Sequence, residues 1–183
     1  MARKNLFLPQ AEVDNVLYCQ KVVDVSAARW AVKPPPGRSP FWLQLSLLPF
    51  DTTGIPVQGL SFTLQWRPAA EHHPDGLGDH PKMSLVALYY GRRVFAVDTY
   101  PYDKHTNRVK VDHPDYADSH VGPHYHLYFE EAADYDIALR PRLCLDPGDF
   151  LGYWQFFCAT LNVTCQGQIP LPNDDNSGQI PLL

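Results

Sequence analysis

The clearest period-two pattern in the chain is "LSFTLQWRP", which places Leu60, Phe62, Leu64 and Trp66 on one face and Ser61, Thr63 and Gln65 on the other. Such alternation predicts a strand with one buried face. Just upstream, "FWLQLSLLPF" alternates and is rich in β-forming residues, and "DTTGIPVQG" between the two has turn chemistry. "MSLVALYYGRRVFAVDTYPY" predicts a hairpin turning near Gly91. "SHVGPHYHLYFEE" predicts a further strand, with "DYDIALRPRL" as its partner. Toward both ends the period lengthens. "PQAEVDNVLYCQKVVDV" spaces Val13, Val16 and Leu17 helically behind a proline, while Val22 and Val23 also suit a strand. "DPGDFLGYWQFFCATLNV" predicts the main helix. Asp146 is its expected cap, Pro147 fits the first turn, and Asp149 complements the helix dipole. Leu151, Trp154, Phe157, Cys158 and Leu161 would form its apolar stripe, and Trp30, Trp42, Trp66 and Trp154 are expected in the core.

Strands joined by short turns, with helices at the two ends, predict one α+β domain over residues 1–183. Its expected plan is an antiparallel sheet of hairpins, a packed C-terminal helix and a short N-terminal helix. Residues 34–40 read as a proline-rich loop, 68–82 and 103–121 as polar loops, and 171–183 as a loose tail. An apolar fraction of 45% can supply a core, and 18 prolines favour loops and short elements over long helices.

Charge and cysteines narrow the class. A net charge of −5 counts against a protein that coats nucleic acid along its whole surface. The cysteines Cys19, Cys144, Cys158 and Cys165 form no C-x-x-C pair, which predicts free thiols in a reducing, cytoplasmic setting. The opening "MARKNLFLPQAEVD" has no apolar signal region, and no run of ~20 apolar residues occurs, so no membrane partner is expected. Neither a phosphate-binding glycine loop nor a G-x-S-x-G elbow is found.

All eight histidines lie between positions 72 and 126. Strand alternation sends Tyr125, Leu127 and Phe129 toward the core and His124, His126, Tyr128 and Glu130 to the other face. The plain reading is a solvated face. The first chemical alternative is a metal site, since imidazole and carboxylate suit one divalent transition metal. The H-x-H-x-x-x-E spacing of His124, His126 and Glu130 resembles the first motif of the cupins, whose second motif is missing from this chain. The second alternative needs no cofactor. If Asp98 and His105 approach the strand, His124 and His126 could divide general-base and general-acid duty, with Asp98 or Glu130 orienting a ring. Asn107 and Tyr128 would then contact the ligand, and Arg92, Arg93 or Arg108 would hold phosphate. These arginines, with Lys104 and Lys110, form a basic island interleaved with Tyr90, Tyr100 and Tyr102.

Asp98, His105, Asn107, Gly122, Pro123, His124, His126, Tyr128 and Glu130 together resemble an uncharacterised prokaryotic family with a D…H-x-N segment followed by a G-P-H-x-H-x-Y strand and an acidic residue. The likeness spans roughly residues 94–165. It carries no assigned activity, and its histidines are loosely similar to those of small ribonuclease toxins and of proteins on mobile elements. The leading expectation is therefore binding, and cleavage without metal, of RNA or another phosphate-bearing ligand. The alternatives are a His124/His126/Glu130 metal site, and a non-enzymatic protein of a phage or mobile element that binds and inhibits a host protein.

Overall fold

The computed structural model describes residues 8–35, 41–69, 80–142 and 144–172. Most of the proline-rich loop, residues 70–79 of the loop at 68–82 and nearly all of the C-terminal tail lie outside them. The N-terminal stretch forms helix α1 (Gln10–Tyr18) and strand β1 (Lys21–Asp24). Then follow β2 (Ala31–Val32), β3 (Leu43–Leu47), β4 (Leu60–Arg67), β5 (Lys82–Tyr89) and β6 (Arg92–Asp98). After these come β7 (Lys104–Thr106), β8 (Ser119–Val121), β9 (His124–Leu127), a 3-10 turn at Glu130–Ala132, and β10 (Ile137–Leu139). Helix α2 (Phe150–Thr160) and β11 (Val163–Gln166) complete the order.

The architecture is α+β, as the pattern predicts. Seven strands form one sheet in the order β10-β9-β6-β5-β4-β3-β2, and every pairing in it is antiparallel. The expected pairing of β9 with β10 is present, Tyr125 facing Leu139. One feature escapes the pattern: β1 and β11 pair in parallel, joining the two ends of the described chain. Alternation governs the core. Met83, Leu85, Ala87 and Tyr89 of β5 are buried on the face that α2 covers. Phe157 of α2 packs edge-on to Phe62, with ring centroids 5.1 Å apart, and lies 5.6 Å from Phe95. Trp30 and Trp154 are buried; Trp42 and Trp66 are only half-buried.

Helix α2 begins later than the sequence suggests. Asp149 is its cap, accepting from Gly152 N at 2.8 Å. Asp146 instead closes the Pro147–Gly148 turn by accepting from Gly148 N at 2.7 Å. The buried stripe opens on Phe150, while Leu151 is exposed. At the other end of the chain Lys21 is fully buried, and its ammonium donates to the carbonyls of Val16, Leu17 and Cys19, closing the last turn of α1. Cys158 packs in the core, where burial pushes its thiol up to about 12 and away from nucleophilic use. Among the described residues no cysteines are bridged, and no helix is long and apolar enough to cross a membrane.

Two details of the β5–β6 hairpin prepare the site. The turn takes positive φ at Tyr90 (48°) and Gly91 (77°), the conformation that a tight hairpin of this hand requires. Beyond it Ala87 faces Phe95 but Leu88 faces Arg93, so Val94 is an extra residue, a bulge. The bulge rotates Arg93 onto the face of Ala96 and Asp98, away from the α2 side.

Candidate metal centre

Strands β6, β9 and β10 build the floor of the site. Asp98 faces His124 and Ala96 faces His126 across β6–β9, and Ala138 of β10 flanks His126 on its other side. The two alanines leave room for imidazoles on this face. It is not solvated: His124 and His126 are each 4% exposed. What covers them is the segment 103–121, which reads as irregular loop in the sequence. It folds back as a β7–β8 ribbon with His105 directly opposite His120. Lys104, Thr106, Ser119 and Val121 stand exposed, so the only inward side chains of the two strands are His105, half-buried, and His120, buried. Three residues per strand are too few for a legible alternation, which is why the sequence pattern misses the ribbon.

The ribbon is pinned at both ends. Gly122 N donates to Asp103 O at 2.9 Å, and Asn107 N donates to Asp118 O at 2.9 Å. Gly122 has φ +94°, and a Cβ there would come within 3.3 Å of Pro101 O, so glycine is required at this corner. The Asn107 side chain ties the ribbon to β10. Its amide donates to Ala117 O and Ala138 O and accepts from Ala138 N, each at 2.8 Å.

Hydrogen bonds set the state of each ring. Burial raises the pKa of Asp98, but hydrogen bonds from His126 and Ser84 and the nearby imidazoles outweigh it and hold the carboxyl at about 2. As an ion it only accepts, so His126 Nε2, 3.1 Å from Asp98 Oδ2, is the donor. His126 Nδ1 is buried and has no partner. His124 Nδ1 donates to Gly122 O at 2.8 Å, and its Nε2 faces Asp98 Oδ2 at 3.9 Å. His105 Nε2 donates to Asp136 O at 3.0 Å. In the neutral rings the lone pairs therefore reside on His105 Nδ1, His124 Nε2 and His126 Nδ1. Burial lowers the pKa of His124, which favours its neutral, ligating form.

One ring nitrogen from each of His105, His124 and His126 lies within 4.8 Å of the other two. The ring centroids are 4.9, 5.1 and 5.6 Å apart. A tetrahedral ion with bonds of ~2.1 Å would hold its nitrogens about 3.4 Å apart, so the three rings would have to draw closer to bind one. His120 stands beside this trio. Its ring bonds the carbonyl of Ala138, while its buried Nε2 has no partner, and burial lowers its pKa.

Other predicted residues serve the site indirectly or not at all. The strand ends at Leu127, and the 3-10 turn carries Glu130 away from the histidine face. Its carboxylate accepts from Gln10 N at 2.6 Å, at the start of α1. Glu130 thus acts at a helix N-terminus, and the cluster takes His105 where the sequence offers Glu130. Tyr128 is buried and donates to Leu8 O at 2.6 Å. Arg92 stacks over the Tyr128 ring at 5.1 Å. Arg93 grips the Asp136 carboxylate through Nε, at 3.3 Å, and a terminal nitrogen, and lies 3.9 Å from Asp98. Lys104, Arg108 and Lys110 are exposed. Asp136 has no sequence signal, because its backbone carbonyl is the group that orients His105.

Two clefts reach these histidines. A cleft of about 80 Å3 is lined by Arg93, His126, Tyr128, Tyr135 and Asp136 among others. A wider one of about 250 Å3 is lined by His105, Thr106, Arg108, Asp134, Tyr135 and Asp136. The chain matches no family model, no curated protein and no solved structure, and its chemistry is read from this geometry.

Proposed function

We propose that the protein binds one divalent transition metal of the zinc class through His105, His124 and His126 and uses it to activate a bound water. The observation that carries this reading is the disposition of the ring nitrogens. Each of the three rings bonds a protein acceptor (Asp136 O, Gly122 O or the Asp98 carboxylate) through one nitrogen and keeps the lone pair on the other. Metal-bound imidazoles are oriented in this way by outer partners, which fix the tautomer and raise ligand basicity. A carboxylate behind His126 fits the same logic. Neutral nitrogen donors favour zinc, iron, nickel or copper over magnesium or calcium.

Three protein ligands leave one position of a tetrahedral ion open, as in catalytic rather than structural zinc sites. Water there would be acidified toward neutrality and serve as nucleophile. The rival reading uses the same rings without metal, as acid and base in RNA cleavage. Burial under the ribbon and the commitment of ring protons to protein acceptors favour ligation over proton shuttling.

The test is metal analysis on tag-free protein after equilibration with zinc and dialysis. Wild type is expected to retain about one zinc per chain, and His124→Ala/His126→Ala and His105→Ala to retain none while still folded. A wild type without metal, combined with RNA cleavage that the double substitution abolishes, overturns the proposal in favour of metal-free acid–base chemistry. Retention by the double substitution would also sink it.

A further inference from the structure

Accepting the metal reading above, we propose that His120 is a positioning residue for the open coordination position, its Nε2 accepting a hydrogen bond from an N–H or O–H of whatever ligand binds the metal there. Four observations lead to it. His120 lies directly opposite His105 in the ribbon, so both side chains project from the same face of it. The ring is 6% exposed, so water outside does not serve it. Its donor is spent on the carbonyl of Ala138, which leaves the lone pair on Nε2, and that buried atom has no partner. Finally, His120 is not one of the three histidines whose ligand atoms lie within 4.8 Å of one another, so it is not counted among the ligands.

An unpaired buried acceptor is costly and rare in native proteins. A protic ligand on the metal would satisfy it, and a ligand without hydrogen would not. The site should therefore select protic ligands: water and hydroxide, or a substrate presenting an amide N–H or a hydroxyl. This names the substrate class as neutral and hydrogen-bearing at the reacting group.

Two linear isoelectronic probes separate this from size and charge. Hydrogencyanamide carries one N–H on its ligating nitrogen; azide carries none. Both are titrated into the cobalt(II)-loaded protein and followed by the visible spectrum. His120→Phe is expected to keep one cobalt per chain and to lose about tenfold in cyanamide affinity relative to azide, the equivalent of one hydrogen bond of ~1.4 kcal/mol. His120→Gln, which retains an acceptor oxygen, is expected to recover most of the preference. The inference fails if His120→Phe changes both affinities equally or neither. It also fails if His120→Phe loses the metal, for His120 would then be a ligand itself. A wild type that binds no cobalt removes the metal reading and this inference with it, an outcome distinct from cobalt bound without a protic preference.

Discussion

Asn107 is the joint between the ribbon and the sheet, and its replacement tests whether the ribbon is held as described. Its side chain makes three hydrogen bonds of 2.8 Å: two donated to the carbonyls of Ala117 and Ala138, and one accepted from Ala138 N. Asn107→Leu keeps the volume and removes all three. Ala138 O retains the His120 ring as a partner. Ala117 is half-buried, so its carbonyl can turn to water and only a bond of about 1 kcal/mol is lost. Ala138 is 0% exposed, and its orphaned N–H costs the desolvation penalty of about 2 kcal/mol. The expected loss is about 3 kcal/mol, read as a shift of the urea midpoint of metal-free protein with an unchanged slope. Asn107→Asp should be at least as damaging, because it sets a carboxylate against two carbonyls. The reasoning is refuted if Asn107→Leu loses under about 1 kcal/mol, or if Asn107→Asp is tolerated. Either result would return Asn107 to the role that the sequence pattern suggests, a group turned toward a ligand.

The remaining predictions concern charge. Asp98→Asn keeps a hydrogen-bond partner for His126 but removes the negative charge behind it. Zinc affinity, measured by competition with a chromophoric chelator, should fall about 10- to 100-fold with the fold intact, and an unaltered affinity would exclude Asp98 as the outer partner. Asp115 offers a pH test away from the metal. Burial raises its pKa, but hydrogen bonds from Arg142 and Tyr125 and the Arg142 charge outweigh this and hold it below the usual carboxylate range. A group depressed in the folded state adds stability above its unfolded pKa of ~3.9 and loses it as pH falls through the folded value. The difference in urea midpoint between wild type and Asp115→Asn should thus be full at pH 6 and shrink toward pH 3. A difference that grows on acidification would contradict the sign.

The sheet was legible because its strands are long enough to show their period. β4 and β5 each span eight residues; the buried positions alternate along all of β5 and along β4 as far as Leu64. The hairpin at Gly91 was legible from its turn chemistry, and α2 from its apolar steps. What escaped depends on contacts between distant segments. The parallel pairing of β1 with β11 joins residues about 140 apart, and nothing local to Val22 or Thr164 announces it. The bulge at Val94 is set by the register against β5, yet it decides which way Arg93 points. Glu130 reads as a ligand only if the strand runs on past Leu127; the 3-10 turn ends the alternation there, and the Glu130 carboxylate accepts from the first N–H of α1.

The histidines were visible as a concentration in the sequence, but their meaning lay in which of them the ribbon turns inward. A two-stranded ribbon ordinarily docks through apolar side chains, because an isolated pair of short strands is marginal in water. Here the inward positions of β7 and β8 are His105 and His120, laid over His124, His126 and Asp98. Among the described residues, buried side-chain polar atoms without a partner are Thr99 Oγ1, His120 Nε2 and His126 Nδ1, and two of the three belong to this chamber. Each such atom costs about 1–3 kcal/mol where an apolar residue would cost nothing. On the proposals above, one ligand satisfies both. A metal on His126 Nδ1, carrying a protic ligand toward His120 Nε2, meets that requirement in a single binding event, and the ribbon would then be held to the sheet by coordination through His105 as well as by Asn107.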